Sequence, residues 1–213
     1  MKDQFGLRSP DLSVTEYARR VSSADPTPGG GSVSGVIGAL AAGLAGMVCA
    51  LTLKGTPAHE LRALLEPAEL GVGELRLSLL ALAVADETAY AGYRAATSMP
   101  KTTDDEQRAR RDALQLALID AAEAPLAIAR ACYEVLAMLP LIAANGTRHA
   151  LSDASAGALL AEAALRAALL NVRVNAAMIK DSELAARLLT EAARLETDGA
   201  GLRAQTLEFI VAR

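Results

Sequence analysis

The sequence predicts an all-α protein, a single-domain helical bundle with long, partly kinked helices. The 213-residue chain is 52% hydrophobic but only 3% aromatic, and alanine and leucine, which dominate it, are the strongest helix formers. No segment alternates apolar and polar residues between turn signals, as a strand would. The length suits one domain over residues 1–213.

Helix starts and breaks divide this domain. Helices are predicted over about residues 11–23, 31–54, 58–97, 103–139, 153–180 and 182–211. Residues with side-chain oxygens that accept a hydrogen bond from the backbone are predicted as N-caps, and they are Ser13, Ser32 or Ser34, Thr103, and Ser152 or Asp153. Ser13 with Glu16, and Thr103 with Glu106, also match capping boxes. Breaks, kinks or turns of direction are predicted at Pro67, Gly71, Pro125 and Pro140.

A glycine-rich loop, DPTPGGGSVSG from Asp25 to Gly35, precedes the second helix. Glycine loses the most backbone freedom on folding, so the run Gly29–Gly31 indicates a positive φ or a close approach to the backbone. The free N–H groups of the helix start suit an anion. A close-packed turn without a ligand is the alternative.

The segment from Pro26 to Leu53 contains no charged residue, and it is long enough to span a bilayer. Much of it is Gly, Ala and Ser, which gain little from lipid. We therefore expect a buried central helix of a soluble bundle and no membrane. The four-residue spacing of Gly35, Ala39 and Gly43 indicates close helix contacts, within a subunit or across a dimer.

Charge and composition exclude other classes of protein. The net charge is −4 without a basic stripe, so no nucleic acid is expected. Cys49 and Cys132 occur in apolar helices and the N-terminus lacks a signal-peptide hydrophobic region, which predicts a reducing, cytoplasmic location. His59-Glu60 lacks the second histidine of a zinc-protease motif, and His149 has no glutamate three residues before it, so no metal site is predicted.

Polar residues interrupt two apolar helices. Asp86 and Glu87 follow LSLLALAVA, and Asn171, Arg173 and Asn175 lie within LLNVRVNAAMIK. Buried polar groups need partners, and an aspartate in such a helix should have a raised pKa. Asn171 and Asn175 share a helix face. These side chains either bind a polar ligand or form a structural network between helices or subunits.

Several segments together resemble one family. PTPGGGSVSG, the ADETA stretch with Asp86, Met99-Pro-Lys-Thr102, AAEAPLAIARAC and LSDASAGALLAEAALRAALLNVRVN are similar to the cyclodeaminase/cyclohydrolase family. That family includes the cyclodeaminase half of formiminotransferase-cyclodeaminase and the stand-alone methenyltetrahydrofolate cyclohydrolases of bacterial one-carbon metabolism. The resemblance covers nearly the whole chain. It implies an all-helical homodimer that acts on a one-carbon tetrahydrofolate.

The resemblance also implies site residues. The folate-binding set is Gly29, Gly30, Gly31, Ser32, Lys101, Asn171, Arg173 and Asn175, and the catalytic pair is Asp86 and Asp153. Arg173 and Lys101, with Lys180, would neutralise the glutamate tail. One aspartate would pair with the pterin and the other would move protons, with Asp86 the first choice for protons. The methenyl carbon is already electrophilic, so no metal is needed.

Two activities remain open within the family. A cyclohydrolase adds water to the methenyl carbon and yields 10-formyltetrahydrofolate, whereas a cyclodeaminase closes the formimino compound and releases ammonia. A length of 213 residues leaves no room for a formiminotransferase domain, which favours the cyclohydrolase. The alternative to an enzyme is a non-catalytic helical dimer that binds folate. Thr147 and His149 stand where relatives commonly carry asparagines. The chain could therefore prefer another folate as substrate, or it could have lost the activity.

Overall fold

The computed structural model describes residues 8–55 and 57–212, and over those residues it contains six α-helices and no strand. The helices are α1 (Val14–Val21), α2 (Gly30–Lys54), α3 (His59–Thr97), α4 (Asp104–Asn145), α5 (Leu151–Ala176) and α6 (Ser182–Ala212). Short 3-10 turns, Ser9–Asp11 and Arg148–Ala150, precede α1 and α5. The all-α prediction is confirmed, and the dimer stays a prediction.

Helix α4 forms the centre of the bundle. It packs against α3, α5 and α6, and to a smaller extent against α2. Its fully buried large side chains are Leu126, Ile128, Leu136, Leu139 and Ile142. Because these side chains follow Pro125 and flank Pro140 in the core, their burial offsets the hydrogen bond that each proline removes.

Neither Pro67 nor Pro140 ends a helix, although breaks or turns were predicted there. Helix α4 continues through Pro140 to Asn145, beyond the predicted end at Leu139. Helix α3 likewise continues through Pro67 and Gly71. At Gly71 a Cβ would lie 2.6 Å from the Cε of Met138, so this glycine admits a side chain of α4.

Two predicted N-caps are confirmed. The Ser13 side chain accepts from the Glu16 N–H, and Thr103 and Glu106 form a complete capping box. At α1 the box is incomplete, because the Glu16 carboxylate binds Arg19 and Arg20 instead.

Two other predicted caps are wrong. Gly29 is the N-cap of α2 and makes no side-chain bond, because the Ser32 hydroxyl donates to Glu87 and the Ser34 hydroxyl donates to the Gly30 carbonyl. Helix α5 begins after Ala150, which places Asp153 inside its first turn. It also ends at Ala176, before the predicted end at Lys180.

Helix α2 packs mainly against α3 and α5. A Cβ at Gly35 would lie 2.9 Å from the Cβ of Ala83, so the predicted close contact exists within the subunit. The side of α2 that faces away from these helices exposes Leu40, Met47 and Leu51. The prediction of a buried helix therefore holds for the packed sides of α2 only.

Among the residues that the structure describes, three helical segments are long and apolar enough to cross a membrane, by length and composition alone. They are α2, α4 and Arg148–Ala176. The sequence drew attention to α2 because it carries no charged residue before Lys54, whereas the other two qualify with a few charged residues. The expectation of no membrane stays a prediction.

Candidate functional site

A cavity of about 500 Å³ opens where α2 begins, which is the size of a small-molecule site. Its walls come from the glycine-rich loop and from α2, α3, α4 and α5, with one residue that follows α5. The lining residues are Pro26, Thr27, Gly29, Gly30, Gly31, Asp86, Tyr90, Tyr93, Ala121, Asn171, Val174, Asn175 and Met178. Asp86, the three glycines and both asparagines of the predicted set therefore share one cavity.

The glycine run is explained by close approach rather than by a positive φ. Gly29 is extended with a φ of −106°, and none of Gly29, Gly30 and Gly31 has a φ in the left-handed region. A Cβ at Gly31 would lie 2.1 Å from Oδ1 of Asp86, whereas a Cβ at Gly30 would meet only Nδ2 of Asn171, at 3.6 Å. Gly31 is thus the position where any side chain collides with the Asp86 carboxylate.

The Asp86 carboxylate lies against the first turn of α2 and accepts a hydrogen bond from the Ser32 backbone N–H. Burial raises its pKa to about 6, the negative charge of Glu87 adds to the rise, and the Ser32 N–H opposes it. The free N–H groups at this helix start were predicted to bind an anion. At the Ser32 N–H that anion is a carboxylate of the protein itself.

Asn171 and Asn175 form the opposite wall of the cavity. The Nδ2 of Asn171 donates to the Ala167 carbonyl of its own helix, and the Nδ2 of Asn175 donates to the Ala121 carbonyl of α4. These bonds fix both side chains at the cavity surface. Their amide oxygens are hydrogen-bond acceptors, so this wall is suited to a ligand with N–H groups.

Two tyrosines of the site were missed by the sequence analysis. Tyr90 and Tyr93 follow Asp86 by four and seven residues on α3, a spacing that puts all three on one helix face. Their ring centroids lie 6.5 Å apart. Only 3% of the residues are aromatic, so two tyrosines at this spacing from Asp86 were a signal in the sequence that they belong to the site. The rings supply apolar faces on which a flat heterocycle can stack.

The three cations predicted for the glutamate tail, and the Ser32 side chain, lie outside the cavity lining. Arg173 binds Glu196 of α6, and Arg166 approaches the same carboxylate at 3.5 Å. Residue 173 is two positions from each asparagine, so its side chain projects to another side of the helix. Lys101 is exposed in the loop after α3, and Lys180 is exposed beyond the end of α5. The Ser32 side chain is buried, and its hydroxyl donates to Glu87.

Asp153 lies at the other end of the bundle. It precedes Asn171 by 18 residues on the same helix, which corresponds to about 27 Å along the axis. Thr147 marks the same end, because its backbone N–H donates to Oγ1 of Thr52, at 2.8 Å, in the last turn of α2. His149 is exposed nearby in the 3-10 turn Arg148–Ala150. Within one chain the two predicted catalytic aspartates are therefore far apart.

No cluster of three or more His, Cys, Asp or Glu suited to a metal ion occurs among the described residues. The expectation that no metal takes part stays a prediction.

The fold and cavity define a helical-bundle protein with a small-molecule site between a half-buried carboxylate and two asparagine amides. The family model described as Formiminotransferase-cyclodeaminase matches residues 13–194. The chain belongs to this family, and the resemblance drawn from the sequence is confirmed.

Similar proteins agree on folate chemistry. Methenyltetrahydrofolate cyclohydrolase of Methylorubrum extorquens is 35% identical over 198 residues, which cover 93% of this chain and 95% of that protein. Formimidoyltransferase-cyclodeaminase of Gallus gallus is 30% identical over 183 residues, which are 83% of this chain but 34% of that protein. The crystal structure of formiminotetrahydrofolate cyclodeaminase from Thermotoga maritima superposes with a TM-score of 0.85 at 28% identity, covering 95% of this chain and 98% of that one. The predicted class, an enzyme of folate one-carbon metabolism, is confirmed.

Proposed function

We propose that this chain is a methenyltetrahydrofolate cyclohydrolase, which converts 5,10-methenyltetrahydrofolate into 10-formyltetrahydrofolate. The observation that carries the proposal is the half-buried Asp86 carboxyl at the cavity wall, with its pKa raised to about 6. Such a group is mostly ionised near neutral pH yet basic enough to accept a proton, which suits a general base. Support also comes from the Methylorubrum extorquens cyclohydrolase, which is similar over nearly the full length of both chains.

The proposed chemistry needs one positioned proton acceptor. Water adds to the cationic methenyl carbon between N5 and N10, a C–O bond forms, and Asp86 takes a proton from the water. The adduct then opens as the C–N5 bond breaks, and the proton of its hydroxyl is transferred to N5 as the formyl group forms on N10. Asp86 finally releases its proton to solvent, so the reaction yields one proton overall.

The cavity wall suits the pterin part of this substrate. Tyr90 and Tyr93 offer stacking surfaces, and the side-chain amides of Asn171 and Asn175 offer hydrogen bonds to the ring's polar edge. Gly30, which has no side chain, lets the ligand lie against the start of α2.

The glutamate tail would lie outside the cavity. Arg166, Arg173 and Glu196 together carry one net positive charge, which attracts a carboxylate. Arg173 would exchange Glu196 for the tail, and exposed Lys101 and Lys180 remain further candidates.

The cyclodeaminase activity is the second candidate, and the Thermotoga maritima structure favours it. In that reaction N10 attacks the formimino carbon and ammonia leaves, which requires a proton donor. Protonated Asp86 serves that step as well, so the same cavity is consistent with either activity.

An assay on 5,10-methenyltetrahydrofolate separates the candidates. The purified chain is expected to accelerate the loss of the ultraviolet band of this compound at neutral pH over an enzyme-free control. Ammonia release from 5-formiminotetrahydrofolate is measured in parallel. Release of ammonia without hydrolysis of the methenyl compound would replace the cyclohydrolase by the cyclodeaminase, and inertness towards both would refute the proposed function.

The proposed enzyme is cytoplasmic and has no nucleic-acid partner. A cytoplasmic enzyme is supported by Cys49 and Cys132, which are buried and unpaired by disulfide bonds, as is usual in a reducing compartment. A net charge of −4 argues against nucleic acid as a partner.

A homodimer is supported by the exposed side of α2. Leu40, Met47 and Leu51 form an apolar surface on a helix of 25 residues, a feature that marks interfaces. If two copies pack these surfaces antiparallel, the first turn of α2 in one lies beside the last turn of α2 in the other. Because Thr147 and Asp153 lie at the last-turn end, each cavity would receive Asp153 from the partner subunit.

A mixing experiment tests this shared site. Asp86→Asn and Asp153→Asn chains are each expected to be almost inactive alone. In a 1:1 mixture half of the dimers are mixed, and each mixed dimer contains one site without a substitution. About a quarter of wild-type turnover is then expected. A mixture that stays inactive although light scattering reports dimers would contradict the shared site, and a monomer at the 22.0 kDa chain mass would contradict the dimer.

A further inference from the structure

Glu87, the neighbour of Asp86 on α3, binds two segments of the chain at once. The Ser32 hydroxyl donates to Oε1 of Glu87 at 2.6 Å, and the Ser9 hydroxyl donates to Oε2 at 3.0 Å. Ser9 and Ser32 are both buried. One carboxylate therefore joins the 3-10 turn before α1 to the first turn of α2.

Ser32 binds both acidic residues through different atoms. Its backbone N–H donates to Asp86 and its hydroxyl donates to Glu87. Because the only hydroxyl proton of Ser32 is used on Glu87, the Tyr17 hydroxyl, 3.0 Å away, must be the donor to Ser32 Oγ. The hydrogen bonds thus form a chain with one direction, from Tyr17 through Ser32 to Glu87.

In this arrangement Glu87 acts as an acceptor only. Each oxygen of its carboxylate accepts from a serine hydroxyl, and both donors are neutral groups, which do not cancel the charge of a carboxylate. Glu87 therefore brings a negative charge to the same turn of α2 that Asp86 contacts.

We propose that Glu87 is a positioning residue for Asp86: clamped by Ser9 and Ser32, it fixes the first turn of α2 against α3 and keeps a negative charge beside the Asp86 carboxyl. Glu87 is not among the residues that line the cavity, so it acts through Asp86 and Ser32 rather than on a ligand. The role of Asp86 as proton acceptor rests on the proposed function, whereas the coupling of the two carboxyls does not.

The other groups that face Asp86 are backbone N–H groups, side-chain amides and tyrosines. Helix α2 presents backbone N–H groups and α5 presents the amides of Asn171 and Asn175. The tyrosines are Tyr90 and Tyr93 of α3, and Tyr17 of α1, whose pKa is raised mainly by burial and further by both carboxylates. Glu87 is thus the one acidic side chain among the causes that set the pKa of Asp86.

Glu87→Gln tests the proposal, because it removes the charge and keeps the shape. The probe is the ¹³C carboxyl resonance of Asp86, recognised by its loss in Asp86→Asn and titrated in the free protein. The pKa of Asp86 is expected to fall below its wild-type value of about 6 in Glu87→Gln, because the negative charge of Glu87 contributes to the rise. Where turnover is measured, the acid limb of the kcat profile moves down in pH equally, with KM little changed.

Two variants separate the charge from the packing. Ser9→Ala removes one clamp but no charge, so the pKa of Asp86 should stay near the wild-type value, as it should in Glu87→Asp, which keeps the charge. An unchanged pKa in Glu87→Gln would overturn the proposal. An equal fall in Ser9→Ala or in Glu87→Asp would overturn the coupling of the two carboxyls through charge, since loosened packing would then be the cause. The titration needs no substrate, so failure of the proposed folate activity leaves its outcome intact.

Discussion

Asp86→Asn is expected to lower kcat by about a hundred- to ten-thousand-fold, the usual contribution of a general base, with only a modest loss of folate binding. Asparagine keeps an oxygen that accepts from the Ser32 N–H, so the first turn of α2 should remain in place. Turnover of 5,10-methenyltetrahydrofolate and binding of a folate by calorimetry provide the two measurements. Glu74→Gln, an exposed carboxylate about three turns earlier on α3, is the matched control and should keep wild-type turnover. Undiminished turnover in Asp86→Asn would remove Asp86 from the chemistry.

The same variant has an expected effect on stability, with a defined sign. Asp86 has a pKa of about 6 in the folded chain, against an ordinary value of 3.8 for an aspartate. The folded state therefore binds the proton more tightly, and the stability from the protonated form is present below about pH 4 and is lost as the pH rises through 6. Above pH 6, Asp86→Asn should raise the free energy of unfolding by about 1–3 kcal/mol, and near pH 4 it should not. Denaturant unfolding at both pH values measures this, and equal stabilities above pH 6 would show that burial of Asp86 carries no cost.

Gly31→Ala is expected to cause the second large effect. The new Cβ would lie 2.1 Å from Oδ1 and 2.3 Å from Cγ of Asp86, so the carboxyl must turn away or α2 must move from α3. Such overpacking costs about 1–3 kcal/mol, and the displaced Asp86 should lose most of its activity. Thermal unfolding and turnover measure the two consequences.

Gly30→Ala provides the control for this substitution. Its Cβ would meet only Nδ2 of Asn171, at the ordinary contact distance of 3.6 Å. We expect its stability to stay close to that of the wild type, although its position on the cavity wall can raise KM. Equal stabilities of Gly31→Ala and Gly30→Ala would contradict the close approach of Asp86 to α2.

The fold was predictable because its rules are local. Alanine and leucine favour helices, and the Thr103–Glu106 capping box fixes a helix start within a few residues. The continuation of α4 through Pro140 was not predictable in this way, because it depends on core contacts made by distant parts of the chain. The predicted N-cap of α2 was wrong for the same reason, because the Ser32 hydroxyl donates a hydrogen bond to a carboxylate 55 residues away and does not cap its own helix.

The site was predictable only in part. Asp86, Asn171 and Asn175 stood out as polar residues in apolar helices, and they do line one cavity. The distance between Asp86 and Asp153 could not be read from a motif, because a motif does not state which end of a bundle it occupies. Tyr90 was missed because tyrosines on a half-exposed helix face have no polarity contrast with their neighbours.

The cavity walls come from segments as distant as Thr27 and Met178, carried by four helices and the flanking loops. No part of this pocket can exist once the helices separate, so a ligand has almost no affinity for the unfolded chain. Occupancy is therefore coupled to global unfolding, and a ligand at a hundred times its Kd should add about 2.7 kcal/mol to the free energy of unfolding. A melting-temperature screen of one-carbon folates would thus rank them by affinity even in variants that no longer turn them over.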